Sequence, residues 1–397
     1  MRLAIVVQRY GADIVSGAEL HARNLAELLH GPHHVEVFTT CAQDYVTWRN
    51  HYPPGSTFVG PVRVHRFPVR RPRDPRTYGR WEQYLLTHPH SEADEYRWLE
   101  LEGPYAPRLI EAIRRRAADF DFWLFFSFRY YTTFHGARAV PDRAILVPTA
   151  EEDPIIGFSI FRRLFHGVRG IAYNSIEEQR LIQGMTRNYQ VPGVVVGIHV
   201  QPPPDPPCPE RFRQQWNVSE PYVLFVGRVD VNKGAPQLVE MFAHYAASRP
   251  NSPLLVLLGP IVDSVPPHPR IRLLGPVDEQ TKWDALAGCE FLINPSPLES
   301  LSMVLLEAWK ARKAVLVNGQ CAVLRGQCIR SNGGLFYTSP AEFHRMMDWL
   351  LEHPDLRQQL GENGRAYVDE HYRPDSILRK YEELFERARS VPETRVA

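Results

Sequence analysis

Long apolar runs are missing from this chain. No stretch approaches the roughly 18–20 residues of a membrane span, so no transmembrane helix is expected. Lysine is scarce: the first half of the chain has none, and the basic residues are mostly arginine. Net charge is nearly absent, formally +1, which excludes a whole-molecule basic field for nucleic acid or membranes. The five cysteines, Cys41, Cys208, Cys289, Cys321 and Cys328, are odd in number and scattered. They argue for reduced thiols in a cytoplasm rather than a disulfide framework. Cys321 and Cys328 lack zinc-ligand spacing and useful histidine offsets, and no Asp-x-Asp pair ends a strand, so no metal is expected. The opening MRLAIVVQRY reads as a strand and not a signal peptide: its apolar core is short and no small-residue cleavage site follows.

The 397 residues suffice for two domains of about 200 each. Apolar runs at Leu3–Val7, Val35–Thr40, Val62–Val69, Phe122–Phe126, Ile145–Val147 and Gly170–Asn174 read as strands between helices. This is the pattern of a parallel α/β sheet, whose ligands bind beyond the strands' carboxyl ends. The proline-rich segment 201–207 is a stiff linker. Strands follow at Tyr222–Val226, Leu254–Leu258, Ile271–Leu274, Phe291–Ile293 and Ala314–Val317, then helices at 340–353, 356–372 and 375–389. The expected division is 1–200, 201–373 and a last helix in 374–397.

Four stretches carry chemistry. Gly17 lies in a turn between the first strand and a helix over 18–30, where backbone N–H groups suit an anion; a plain βα turn is the alternative. Glu151, Glu152 and Asp153 follow the strand Ile145–Val147. Their repulsion needs an arginine or a ligand, unless they only complement a helix start. Gly227 and Arg228 end the strand Tyr222–Val226, and Lys233 opens a helix. Two cations at a helix N-terminus suit a diphosphate, solvated surface charges being the alternative. Glu299 lies in the prolyl loop after Phe291–Ile293, Ser300 or Ser302 can cap the next helix, and Glu307 lies inside that apolar helix. The two glutamates would sit roughly 12 Å apart on one axis, too far for a glycosidase pair and suited to two contacts along an extended ligand. Alternatively Glu299 is solvated and Glu307 paired internally.

Between these stretches, residues 66–116 interleave Arg66, Arg70, Arg71, Arg73, Arg76, Arg80 and Arg114–Arg116 with Tyr78, Trp81, Tyr84, Tyr96, Trp98 and Tyr105. The segment could grip a glycan acceptor, a lipid carrier or an anionic membrane, or form a solvated flap with its aromatics packed inward. No RNA-binding motif accompanies it, so nucleic acid is not expected.

The Glu-x7-Glu pattern Glu299–Glu307, the stretch Phe225–Gly234, the terminal region Gly333–Tyr337 through Gly364–Tyr367 to His371-Tyr372, and the turn at Gly17 together resemble the retaining glycosyltransferases of family 4. The resemblance implies a GT-B fold: two Rossmann-like domains facing across a cleft, the C-terminal helix crossing back to the first. It implies transfer of a sugar from a nucleotide-sugar donor to a glycan, lipid-linked or small-molecule acceptor, without a metal or other cofactor. By resemblance, Arg228 and Lys233 meet the diphosphate, Glu307 the ribose, and Glu299 the transferred sugar, with Gly17, Gly227, Leu301 and Ser302 completing the donor site. Glu151 and Glu152 stand where the family often has a histidine, and Leu301-Ser302 where it often has an aromatic-glycine pair. The expected location is cytoplasmic, with peripheral membrane contact through the basic segment. A sugar-nucleotide epimerase and a non-catalytic glycan-binding protein are the competing readings.

Overall fold

A computed structural model describes residues 1–14 and 16–391. The chain divides into two compact units, one of residues 1–198 with the segment from Ile377 onward, the other His199–Ser376.

The first unit holds an eight-stranded sheet. Its strands are β1 (Arg2–Val6), β2 (His34–Thr40), β3 (Gly55–Val59), β4 (Val62–Phe67), β5 (Phe122–Phe126), β6 (Ala144–Val147), β7 (Gly170–Tyr173) and β8 (Gly193–Val195). Their order is β3-β4-β2-β1-β5-β6-β7-β8, and all pairs are parallel except β3–β4. The central strands are buried along almost their whole length, because helices cover both faces. That is why they read as unbroken apolar runs. β3 is a mostly exposed edge, and neither it nor the three-residue β8 announced itself in the sequence.

The second unit is all-parallel, with β9 (Tyr222–Val226), β10 (Leu254–Leu258), β11 (Ile271–Gly275), β12 (Leu292–Asn294), β13 (Val315–Asn318) and β14 (Gly334–Tyr337). Their order is β11-β10-β9-β12-β13-β14. The chain winds outward from β9 to β11, then returns beside β9 as β12. The carboxyl ends of β9 and β12 therefore flank the topological switch point, where such sheets bind ligands. In the first sheet the same reversal lies between β1 and β5.

The last helix, Pro374–Ser390, packs on the first unit from Ile377 onward. Tyr381, Leu384 and Phe385 are fully buried there. Phe385 stacks on Phe122 at 5.2 Å between centroids, and Arg169 donates to the Ala388 carbonyl at 2.8 Å. Its amphipathic stripe is the part of the sequence that needs this surface. Among the described residues no helix is long and apolar enough to cross a membrane.

Candidate functional site

The switch point of the second sheet is built from two loops. After β9 the chain turns at Gly227, passes Arg228, and makes a short helical turn, Val231–Lys233, into the helix Ala235–Ala247. Asp230, buried, caps that turn by accepting the Lys233 N–H at 2.9 Å, and its other oxygen pairs with the Arg228 guanidinium at 3.2 Å. One carboxylate thus orders both cations. Gly234 must be glycine: its φ is +70°, and a Cβ there would lie 2.5 Å from the Pro295 carbonyl oxygen. This contact lays the β9 loop against the β12 loop.

The β12 loop is held by polar side chains. The Asn294 amide donates to the Ser302 hydroxyl at 2.9 Å and accepts the Ser296 N–H at 3.0 Å. Asn318 donates to the Pro295 carbonyl at 3.2 Å. Glu299 then meets Lys233 at 2.8 Å, although 66 residues separate them. So Gly227, Arg228, Lys233 and Glu299 are brought to one place. Leu301 is buried, and its carbonyl accepts from the buried Gln327 amide. Ser302 stands at the cap position of the helix Met303–Lys310 but does not cap it. Its hydroxyl is turned to Asn294, and its φ of +73° is strained for a non-glycine residue, a departure from the expected cap.

Glu307 is 5% exposed and its carboxylate is committed to Lys282, at 2.7 Å. The internal pairing weighed for Glu307 is therefore present, while Glu299 is paired rather than solvated. Burial drives the Glu307 carboxyl above its ordinary value, against the pull of the Lys282 ammonium. The same burial works to lower Lys282, but the carboxylates of Glu307 and Glu279 more than offset it and hold the ammonium charged. Lys282 was not singled out in the sequence. In a chain so poor in lysine, a lysine facing a buried glutamate was the available signal.

In the first unit, Gly17 opens the helix Gly17–His30, and an added Cβ would meet nothing within 4 Å. The anion at this helix N-terminus is the protein's own. Glu19, buried, accepts from Arg9 at 2.8 Å, Gln8 at 3.0 Å and Ser16 at 2.7 Å. Asp153 caps the short turn Pro154–Gly157 and pairs with Arg129 at 3.0 Å, so both the arginine and the helix start anticipated for this acidic loop are found. Glu152 is exposed and Glu151 half-buried. Beneath them Glu178 is fully buried and accepts the N–H groups of Ala150 and Asn174. Burial pushes its carboxyl up to about 8, and the neighbouring Glu151 adds to the shift. Sequence reasoning missed this residue and the Arg73–Glu102–Arg129 ion-pair chain, in which Glu102 is 2% exposed.

The basic-aromatic segment forms the helices Pro75–Thr87, Glu92–Glu102 and Pro107–Arg115. Trp98 is buried, and Tyr78, Trp81, Tyr96 and Tyr105 pack against the core, as the inward-packed alternative anticipates, while Tyr84 is exposed. Three arginines leave the predicted basic patch: Arg73 is bound to Glu102, Arg116 to Glu36 and Asp119, and Arg66 is buried on β4. Arg70, Arg71, Arg76 and Arg80 are exposed. Among the described residues no group of three or more His, Cys, Asp or Glu side chains is arranged to hold a metal ion.

Residues 209–367 match the family described as Glycosyl transferases group 1. Glycosyltransferase 1 domain-containing protein 1 of Xenopus tropicalis is 29% identical over 163 residues, 38% of this chain. The match spans about half the length of that relative, 46%. Among solved structures, sucrose-phosphate synthase from Thermosynechococcus elongatus superposes with a TM-score of 0.69 at 16% identity, covering 97% of this chain and 98% of that one. The Anabaena protein Alr3699/HepE in complex with UDP-glucose gives 0.68 at 15%, covering 97% and 99%. Trehalose-6-phosphate synthase OtsA gives 0.71 at 11%, covering 98% and 99%. At these identities the likeness is one of fold. The fold is GT-B, two Rossmann-like domains with parallel sheets.

Proposed function

We propose that the protein is a glycosyltransferase of the retaining, family 4 kind. It moves a sugar from a nucleotide-sugar donor to a glycan, lipid-linked or small-molecule acceptor. The observation that carries this reading is the 2.8 Å contact of Lys233 with Glu299 at the switch point of the second sheet, inside the segment matched by the group 1 family. Arg228 and Lys233 receive the diphosphate. An ammonium has three donors, so Lys233 can hold Glu299 and a phosphate oxygen at once. Glu299 receives sugar hydroxyls. Glu307, paired with Lys282, receives the ribose, and backbone groups near Leu301 and Ser302 add donors to the phosphate site. Gly17, Glu151 and Glu152 lie at the carboxyl end of the first sheet and are candidate sugar contacts of that unit. The leaving charge falls on fixed cations, so transfer is proposed to need no metal. With Glu299 and Glu307 assigned to hydroxyls, and Glu151 and Glu152 only candidates, the acceptor attacks from the face the diphosphate leaves, and a departing phosphate oxygen takes its proton.

Calorimetry with sugar nucleotides tests the reading, beginning with UDP-glucose because HepE is found with it. Arg228→Ala and Lys233→Ala should each weaken donor binding roughly ten- to a hundredfold, the worth of one charge-assisted bond to phosphate. Arg228→Ala should also lower turnover, since the leaving charge is larger in the transition state. Unchanged affinity in both variants would remove the diphosphate assignment. Proton NMR of the product should show the donor's anomeric configuration kept. A donor isomerised in the absence of acceptor would point instead to an epimerase.

A further inference from the structure

One buried cation of the first unit has no answering group among the described residues. Arg66 is 6% exposed on β4. Inward and outward positions alternate along that strand, so Arg66 shares a face with Val62 and Val64. In the parallel register it pairs with Thr39 of β2. Phe38 contacts His65 and Phe67 across the opposite face, which leaves Thr39 and Arg66 together on this one. The helix Gly17–His30 packs against both strands here.

The Arg66 side chain forms no hydrogen bond and no ion pair with any described residue, and its Nη1 is closed off from solvent. Its guanidinium lies 4.0 Å from the centroid of the Tyr52 ring. The groups around it are Tyr52, Cys41, Asp13 and Tyr10. Of these only Asp13 is a carboxylate, and it forms no ion pair with Arg66 but is held by other donors. One of its oxygens accepts the Tyr52 hydroxyl and the other the Gln43 amide, each at 2.5 Å. Two hydroxyls nearby are also orphaned: Tyr10 OH and Thr39 Oγ1 are buried without a partner among the described residues. Tyr10 lies in the field of Arg66 and of Arg23, which ties the loop down through the Gly11 and Ala12 carbonyls. Glu27, also near Tyr10, is exposed on the helix.

A guanidinium taken out of water needs an anion or acceptors, and contact with an aromatic face repays only part of the cost. What is left unpaired here is a set of donors: the fork of its own guanidinium N–H groups and the hydroxyls of Tyr10 and Thr39. That composition repels another cation and is matched by an oxyanion with several acceptor oxygens. We propose that Arg66, Tyr10 and Thr39 form a binding site for a small phosphate-class oxyanion between the first helix and strands β2 and β4. Its occupation fastens the loop Tyr10–Asp13, which leads toward Gly17, onto the edge of the sheet. Arg66, Tyr10 and Thr39 are not among the residues assigned to the donor, although Gly17, a candidate sugar contact, opens the helix that covers them.

The test is calorimetry with inorganic phosphate on the full chain, with acetate as a second arm. Every protein in the test carries Lys233→Ala, which weakens the phosphate site proposed for the second unit. Phosphate should bind and raise the melting temperature. Adding Arg66→Met should cut phosphate affinity at least tenfold, while the variant melts no lower than its parent without phosphate, because it removes an unpaired buried charge. If Arg66→Met does not fold, Tyr10→Phe and Thr39→Val serve, each expected to weaken binding severalfold. A parent that ignores phosphate, an Arg66→Met variant that binds it as tightly, or unchanged affinity in both hydroxyl variants overturns the proposal. Acetate binding without phosphate binding overturns its phosphate class.

Discussion

Replacing Lys282 by methionine tests the electrostatics of the second unit most directly. The side chains are similar in length, so little packing is lost, but the buried Glu307 loses the ammonium at 2.7 Å. Removing one partner of a buried ion pair costs about 3–5 kcal/mol, because the other charge is left without compensation. For a domain of this size each kcal/mol lowers the melting temperature by about 2–4 °C, so a fall of roughly 10 °C is expected. The loss must also depend on pH. The folded-state Glu307 carboxyl is already raised by burial, and without Lys282 it rises further. A carboxyl raised on folding contributes stability that is fully present below its unfolded value. That stability is lost as pH climbs from the ordinary carboxylate range through the raised one. The variant should therefore be penalised more at pH 8 than at pH 5, and Lys282→Met/Glu307→Gln should recover most of the loss at pH 8. Thermal denaturation of the three proteins at the two pH values reads this out. A pH-independent loss, or none, would refute the claim that Lys282 stabilises the Glu307 carboxylate. A donor KM that rises in Lys282→Met while kcat holds would further tie the pair to ribose binding rather than to chemistry.

Three other outcomes are expected. Turnover should survive EDTA; loss restored by magnesium or manganese would count against cations as the sole carriers of the leaving charge. If the exposed Arg70, Arg71, Arg76 and Arg80 dock an anionic surface, changing all four to Gln should abolish sedimentation with anionic liposomes and leave donor affinity unchanged. A parent protein that does not sediment would end that idea. Glu178, raised to about 8, should give the parent a stability that falls as pH rises from about 5 to 9, by on the order of 3–5 kcal/mol; equal slopes for parent and Glu178→Gln in urea titrations would exclude it as the titrating group.

The sequence is legible where burial is two-sided and where chemistry is local. Phe122–Phe126 and Tyr222–Val226 are covered by helices on both faces, so every position is apolar and the strand bounds are plain. Gly55–Val59 is an exposed edge strand, and its alternation carries no signal because neither face is in the core. Arg228 and Lys233 share one short loop after a strand, so their convergence is local, while Glu299 joins them in the sequence only through the family resemblance and in the structure because β9 and β12 are neighbours. Lys282 and Glu307 lie 25 residues apart on different helices, and Glu102 and Arg129 27 apart, so only tertiary packing pairs them. Arg66 was grouped with the surface arginines that follow it, although Val62, Val64 and Arg66 already had the spacing of one strand face.

The two basic residue types are put to different uses. In the first unit arginine alone pairs with the buried Glu19 and Glu102. A planar, forked guanidinium holds several acceptors at once and fixes their geometry, as Arg129 does across Glu102, Asp153 and Glu82. Such a network orders the carboxyl end of the first sheet but is poorly suited to exchanging partners. In the second unit both glutamates of the Glu-x7-Glu pattern are met by lysine, Glu299 by Lys233 and Glu307 by Lys282. An ammonium is a compact point charge on a flexible stem, and its donors can turn from a carboxylate to a phosphate or hydroxyl without breaking a bidentate lock. The Lys233–Glu299 pair is also the less buried of the two, its side chains 29% and 12% exposed against 11% and 7% for Lys282–Glu307. The graded burial assigns them different work. The outer pair is open enough to exchange partners, and the inner pair compensates a carboxylate closed off from water.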